Sequence, residues 1–172
     1  MKKIIIAIDS FKGCLTSAEA GKAAEKGIKS INPSCHTSVI PIADGGEGLL
    51  DVLITATKGK YITLSAHGPL MKMAKTHYGL SGNGRTAIIE MAAISGLPLV
   101  PIEQRNPMLT TTFGTGELIK DALNKGCRNF IIGIGGSATN DAGLGMLQAL
   151  GFRFLDKSGH TLGTGGQIME AV

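Results

Sequence analysis

The chain has 172 residues, enough to bury a core in one domain or two small ones, and its 43% hydrophobic against 17% charged content excludes a disordered polymer. Its net charge of +4 comes from 17 scattered Lys and Arg residues, and with only 4% aromatic residues and none interleaved with the basic ones, nucleic acid is not an expected partner. The 25 glycines gather in short clusters between apolar runs, which marks special backbone turns, and without Trp the core must be aliphatic.

Residues 3–8 form an uninterrupted aliphatic run ending at Asp9, the pattern of a buried parallel strand. Met1-Lys2-Lys3 ahead of it resembles the start of a leader, but the run ends at a carboxylate without a small-residue cleavage site. No stretch is long enough to cross a bilayer, so no membrane partner is expected. Thr16 and Glu19 have capping-box spacing, and Ala20, Ala23, Ala24, Ile28 and Ile31 recur at helical intervals until Asn32-Pro33. A second strand is predicted over 35–40, closed by Pro41, then a helix over 47–57 and a third strand over 60–66. This β-α-β-α-β order predicts an α/β fold: a Rossmann-like parallel sheet with helices on both faces, assigned to residues 1–66.

The rhythm changes after Gly68-Pro69. Residues 72–80 read as an extended ribbon, Ser81-Gly82-Asn83-Gly84 as a turn, and 86–91 as the returning strand of a hairpin. A second, mixed α/β domain is therefore predicted over 67–172. It continues through a passage containing Pro98, Pro101 and Pro107, a helix over 116–125 and a strand over 129–134. A polar loop over 135–141, a helix ending at Leu150-Gly151 and a short strand over 152–155 complete the alternation. Residues 162–167 open another glycine loop and helix, which Val172 cuts short, so both domains are expected to be incomplete and the chain to be part of a longer protein. The three cysteines are far apart and in no metal spacing, as free thiols of the reducing cytoplasm would be. The four histidines share no metal spacing and receive no role.

Three strand-to-helix junctions are longer and more polar than a simple turn requires, and in parallel sheets ligands bind at these carboxyl ends of strands. Helix N-termini there favour phosphate through unpaired N–H groups. The first junction, Asp9-Ser10-Phe11-Lys12-Gly13, offers a carboxylate, the Ser10 hydroxyl and the Lys12 ammonium. The second is Ala43-Asp44-Gly45-Gly46-Glu47-Gly48, in which Asp44 and Glu47 flank Gly45 and Gly46 and suit Mg²⁺, a hard ion that takes oxygen ligands. Its plainer reading is a helix cap followed by an acid in the first turn.

The third junction presents Gly135, Gly136, Ser137, Thr139, Asn140 and Asp141: hydroxyls that can donate to phosphate, and a carboxylate that can bind metal or take a proton. A plain polar cap is the alternative there too. The threonine run 110–112 leading to Thr115 is a fourth hydroxyl-rich loop, equally readable as a strand edge. No standard nucleotide signature of the G-x-x-x-x-G-K-[ST] or G-x-G-x-x-G type is present.

In these four segments, and in their order, the sequence resembles the bacterial glycerate kinase family, and the likeness extends over essentially the whole chain. Cys14 and Ala142 are mild departures, standing where Ser and Gly are common. The resemblance implies ATP- and Mg²⁺-dependent phosphorylation of glycerate in a cleft between two α/β domains. On that basis Lys12, Asp44 and Asp141 are the expected catalytic groups, with one of the two aspartates accepting the hydroxyl proton and the other holding Mg²⁺. Ser10, Gly45, Gly46, Glu47, Thr115, Gly135, Gly136, Ser137, Thr139 and Asn140 are the expected substrate- or phosphate-binding positions. Glycerate and ATP are the implied partners, and a homo-oligomer is compatible with the sequence. Two competing readings keep the same loops: a non-catalytic module that binds phosphorylated metabolites, and a phosphotransferase acting on another small hydroxy acid.

Overall fold

The structure, a computed structural model, describes residues 3–172. The first strand, β1 (Lys3–Ile8), pairs in parallel with β2 (His36–Pro41), in register from Lys3↔His36 to Ile8↔Pro41. Helix α1 (Ser17–Ile31) makes the crossover, and it starts where the sequence places it: Thr16 and Glu19 form a reciprocal capping box. Ser17 then locks the layers together. Its hydroxyl donates to the Ile8 carbonyl at 2.6 Å and accepts from the Ile42 N–H at 3.0 Å, so the ends of both strands meet at the head of α1.

Beyond α2 (Leu49–Thr57), strand β3 (Lys60–His67) departs from the predicted three-stranded parallel sheet. It pairs antiparallel with β4 (Met73–Leu80) along its full length, from Lys60↔Leu80 to His67↔Met73. The five-residue connection through Pro69 closes on a Gly68 N–H to Lys72 carbonyl bond of 2.8 Å. A short local closure costs less chain entropy than a crossover back to β1, and that favours the hairpin. Strand β5 (Thr86–Glu90) follows the predicted turn at 81–84, pairing with β4 at Gly79↔Ile88 and Leu80↔Ala87. It then runs parallel to β6 (Asn129–Gly133), giving the order β3-β4-β5-β6.

This mixed sheet carries the core and has helices on both faces. Successive residues of β5 point opposite ways, as strand geometry requires. Ile88 packs with Leu50 and Ile54 of α2, whereas Ile89 joins Ala66, Tyr78, Ile94, Leu118 and Ala122 on the other face. That second face is covered by α3 (Ala92–Ser95) and α4 (Phe113–Asn124). Helix α4 begins at Phe113, three residues earlier than predicted, and so absorbs Thr115 into its first turn. The last elements are α5 (Leu144–Ala149) and a 3₁₀ turn over Gly166–Glu170. The strand predicted over 152–155 is reduced to a single bridge between Leu155 and Thr161.

The β1–β2 layer differs from the buried strand expected there. Among the described residues only Ile6 of β1 is buried, while Ile5 is 60% exposed, because α1 covers one side of a sheet just two strands wide.

Among the described residues, Tyr78 is the one large polar-tipped side chain in the main core. Its hydroxyl donates to Asp121 Oδ2 at 2.8 Å, and burial, reinforced by that carboxylate, pushes its pKa upward. Tyr78→Phe should therefore cost about 1 kcal/mol, seen as a fall in Tm of about 2–4 °C. An unchanged melting curve would show that the hydroxyl contributes nothing beyond the ring.

Candidate functional site

The first junction is a tight turn. The Phe11 N–H donates to the Leu15 carbonyl at 2.8 Å and the Leu15 N–H returns to the Phe11 carbonyl at 3.0 Å, lifting Lys12 into solvent. Lys12 Nζ lies 4.0 Å from Asp44 Oδ2, so the first two junctions are neighbours, although so exposed a pair adds little stability. Asp44 is held by a bond of 3.0 Å from the Gly46 N–H to Oδ1, which leaves Oδ2 turned to Lys12.

The second and third junctions touch backbone to backbone. The Gly135 N–H donates to the Gly45 carbonyl at 3.1 Å, and a Cβ on Gly135 would stand 2.6 Å from Gly46 Cα. Only glycine fits there. Gly135→Ala must push the two loops apart, at a cost of about 1–3 kcal/mol. A variant that melts with the wild type would mean that the loops separate freely.

Around this contact lies a cavity of about 660 Å³, the size of a small-ligand site. Ser10 and Lys12 enter it from the first junction, Glu47 and Gly48 from the second, and Gly136 from the third. All three predicted loops thus meet at one place. Four carboxylates (Glu19, Glu47, Asp51 and Glu90) and one ammonium line it, so the charge is mainly negative. No group of three or more His, Cys, Asp or Glu side chains converges to cage a metal among the described residues.

Glu90, at the carboxyl end of β5, was given no role from sequence. It caps α2 from the strand beneath it: the Leu50 N–H donates to Glu90 Oε2 at 3.2 Å, with the Gly48 N–H adding to the same carboxylate. The helix needs this help because Gly48, at φ +88°, provides no side chain to cap it, so the helix starts at Leu49 rather than Glu47. A carboxylate ending a strand beside a glycine loop was the signal available in the sequence.

Burial raises the Glu90 pKa above its ordinary 4.5, against the lowering by the two amides and with the help of Asp51 and Glu47. Such a group supports the fold fully below its unfolded pKa, and that support is lost as pH rises through the folded value. Glu90→Gln keeps an acceptor for Leu50 without the charge. It should melt at or above the wild type at pH 8, with the difference closing towards pH 4. Glu90→Ala loses the cap and should cost about 1 kcal/mol. A Gln variant less stable than wild type at pH 8 but equal at pH 4 would contradict this.

The remaining predicted positions lie outside the cavity lining: Asp44 stands next to it, beside Lys12, and Gly45, Gly46 and Gly135 form the backbone contact rather than the lining. Asp141 is 1% exposed and enclosed. Its Oδ1 accepts from Thr112 Oγ1 at 3.0 Å and the Gly143 N–H at 3.1 Å. Its Oδ2 accepts from the Thr112 N–H at 2.8 Å, Thr111 Oγ1 at 3.2 Å and the Gly145 N–H at 3.2 Å. With both oxygens so occupied, Asp141 joins the threonine run to the head of α5 and presents no open oxygen to a metal or a substrate proton. Thr115 is buried too, its hydroxyl paired with Ser95 Oγ at 2.8 Å. Asn140 is exposed, and Ser137 and Thr139 border a separate hollow.

The sequence model of the glycerate kinase family matches residues 4–172. Glycerate kinase of Bacillus subtilis (strain 168) is 56% identical over 168 residues, which are 98% of this chain and 44% of that protein. Glycerate 2-kinase of Escherichia coli (strain K12) is 51% identical over 170 residues, 99% of this chain and 45% of that one. A crystal structure assigned to glycerate kinase 2 of Salmonella typhimurium LT2 superposes with a TM-score of 0.85 at 48% identity, covering 99% of this chain and 46% of the other. The chain thus spans less than half the length of these relatives. With the match running almost from end to end, the chain belongs to the glycerate kinase family.

Proposed function

We propose that the protein is a glycerate kinase, which transfers the γ-phosphoryl group of ATP to a hydroxyl of glycerate. The observation that carries this reading is the meeting of three glycine-bearing junctions around one cavity, with Lys12 at its rim. In this reading the cavity is the chain's share of a cleft between two α/β bodies, the β1–β2 layer with α1 and the four-stranded sheet with its helices. Phosphoryl transfer needs positioning and charge stabilisation more than covalent chemistry. Lys12, exposed beside Asp44, steadies negative charge on the transferring group.

Mg²⁺ suits this site better than a cage of protein ligands would suggest. The ion keeps several waters and takes one or two carboxylates plus substrate phosphates. Asp44 fits that role: it is exposed, and only one of its oxygens is engaged by a backbone amide. Glu47, exposed in the same loop, is the second candidate. When bound, the ion would neutralise phosphate charge that the acidic lining otherwise repels. Asp141 does not fit as a metal ligand, and we assign it to positioning: it sets the 135–141 loop against the threonine run. We infer a cytoplasmic setting, which suits the free thiols of Cys14 and Cys127; no helix among the described residues is long and apolar enough to cross a membrane.

The test is turnover of the full-length protein with ATP, Mg²⁺ and glycerate, the product being identified by NMR. Asp44→Asn should lower the rate about a hundredfold with little change in Tm. Asp141→Asn should lower Tm first and activity in consequence. Wild-type protein with no phosphoglycerate product would reject the reading, and a near-normal rate for Asp44→Asn would reject the role given to that residue.

A further inference from the structure

A second hollow, of about 230 Å³, adjoins the 135–141 loop next to the part that lines the main cavity. Gly136 faces the larger space, while Ser137, Ala138 and Thr139 border the smaller one. Leu97 and Val100 add apolar surface, and Arg105, Asn106 and Pro107 complete the lining. No acidic residue is among them.

The hollow is firmly built. Leu97 donates its N–H to the Gly136 carbonyl at 2.9 Å, and Ala138 donates to the Ser95 carbonyl at 2.9 Å. On the far side, the buried Thr110 hydroxyl donates to the Ala138 carbonyl at 2.7 Å. Three chain segments are therefore pinned to one another, and the wall holds its shape without a ligand.

Its polar groups are left mainly as donors. Arg105 Nε donates to the Val100 carbonyl at 3.3 Å, which ties the guanidinium to the rim. Its remaining N–H groups have no partner among the described residues, and no carboxylate pairs with it there. Asn106 Oδ1 is taken by the Met108 N–H at 3.0 Å, so the amide NH₂ is the group it has left to offer. Ser137 Oγ accepts from the Thr139 N–H at 3.0 Å and shares a proton with Thr139 Oγ1 at 2.8 Å. Ser137 Oγ also has the Thr139 carbonyl as an acceptor at 3.4 Å, so the Thr139 hydroxyl proton is free for a further acceptor in the arrangement where Ser137 donates to Thr139 Oγ1. A planar cation, an amide and a hydroxyl around an apolar floor make a complement to a small oxyanion.

The geometry points to this hollow as an oxyanion subsite, with Arg105 as its anchoring residue, taking the carboxylate of a small hydroxy acid or a phosphate group. The carboxylate case rests on the glycerate kinase reading, because it assigns the acid end of that substrate to this subsite. Arg105 and Asn106 belong to the proline-containing passage to which no function is otherwise attached.

The experiment uses the full-length protein and measures binding of D-glycerate, inorganic phosphate and ADP separately by calorimetry, for wild type, Arg105→Ala and Arg105→Lys. Arg105→Ala should weaken glycerate or phosphate binding about tenfold or more. ADP binding should stay within about twofold and Tm should be unchanged, since the Arg105 side chain is exposed. Arg105→Lys, which keeps charge but loses the fork, should recover part of the affinity. Loss confined to glycerate identifies the carboxylate, and loss confined to phosphate identifies the phosphoryl group. Glycerate and phosphate affinities that do not respond to Arg105, or that fall together with ADP affinity and Tm, overturn the subsite. Turnover in the wild type decides the kinase reading independently: a protein that binds glycerate through Arg105 without phosphorylating it keeps the subsite and loses the kinase.

Discussion

Two loops that arise ninety positions apart, one after β2 and one after β6, meet without a side chain between them. Gly135 donates to the Gly45 carbonyl, and the backbone at Gly46 occupies the space that a Cβ on Gly135 would need. This contact ties the β1–β2 layer to the four-stranded sheet at the ends of the strands where ligands are held in parallel sheets. The larger cavity owes its lining to it, since Glu47 and Gly48 arrive from one loop and Gly136 from the other. The smaller hollow is lined by the next residues of the same loop, Ser137, Ala138 and Thr139. One peptide segment thus contributes to both linings, and its placement is set by glycine's size and a backbone hydrogen bond rather than by any side-chain pair.

Three carboxylates near this segment show how surroundings divide similar groups among different tasks. Asp141 is enclosed by hydroxyls and backbone amides, so its charge is satisfied and spent on architecture. Glu90 is half-buried with fewer donors, and burial makes its ionised form costly. Asp44 stands in solvent beside Lys12 with one oxygen lightly held. A hard cation with its own water shell finds the last of these accessible and the first closed.

Much of this was legible in the sequence, because glycine clusters after aliphatic runs have few other meanings. The capping box at Thr16 and Glu19 and the parallel pairing of β1 with β2 follow from such local signals. What was not legible depends on distant partners. The run at 60–67 has the composition of a strand, but nothing in it tells whether its neighbour is β1 or β4. Asp141 has the look of an active-site acid because the donors that enclose it lie thirty positions away, at Thr111 and Thr112. Thr115 belonged to an apparent loop until α4 extended over it. Glu90 and Arg105 stood alone in sequence, and only the fold places them on cavity walls.

The aliphatic strands at the margins have a practical meaning. Ile5 of β1, Ile131 of β6 and Ile134 just beyond it are 60%, 43% and 73% exposed, and Ile4 and Ile132 lie close by. Water against so many branched side chains on strands favours sticking to other surfaces. A concentrated solution of these 172 residues alone would tend to cloud and to bind hydrophobic dyes, whereas anything that shields those isoleucines would keep it clear.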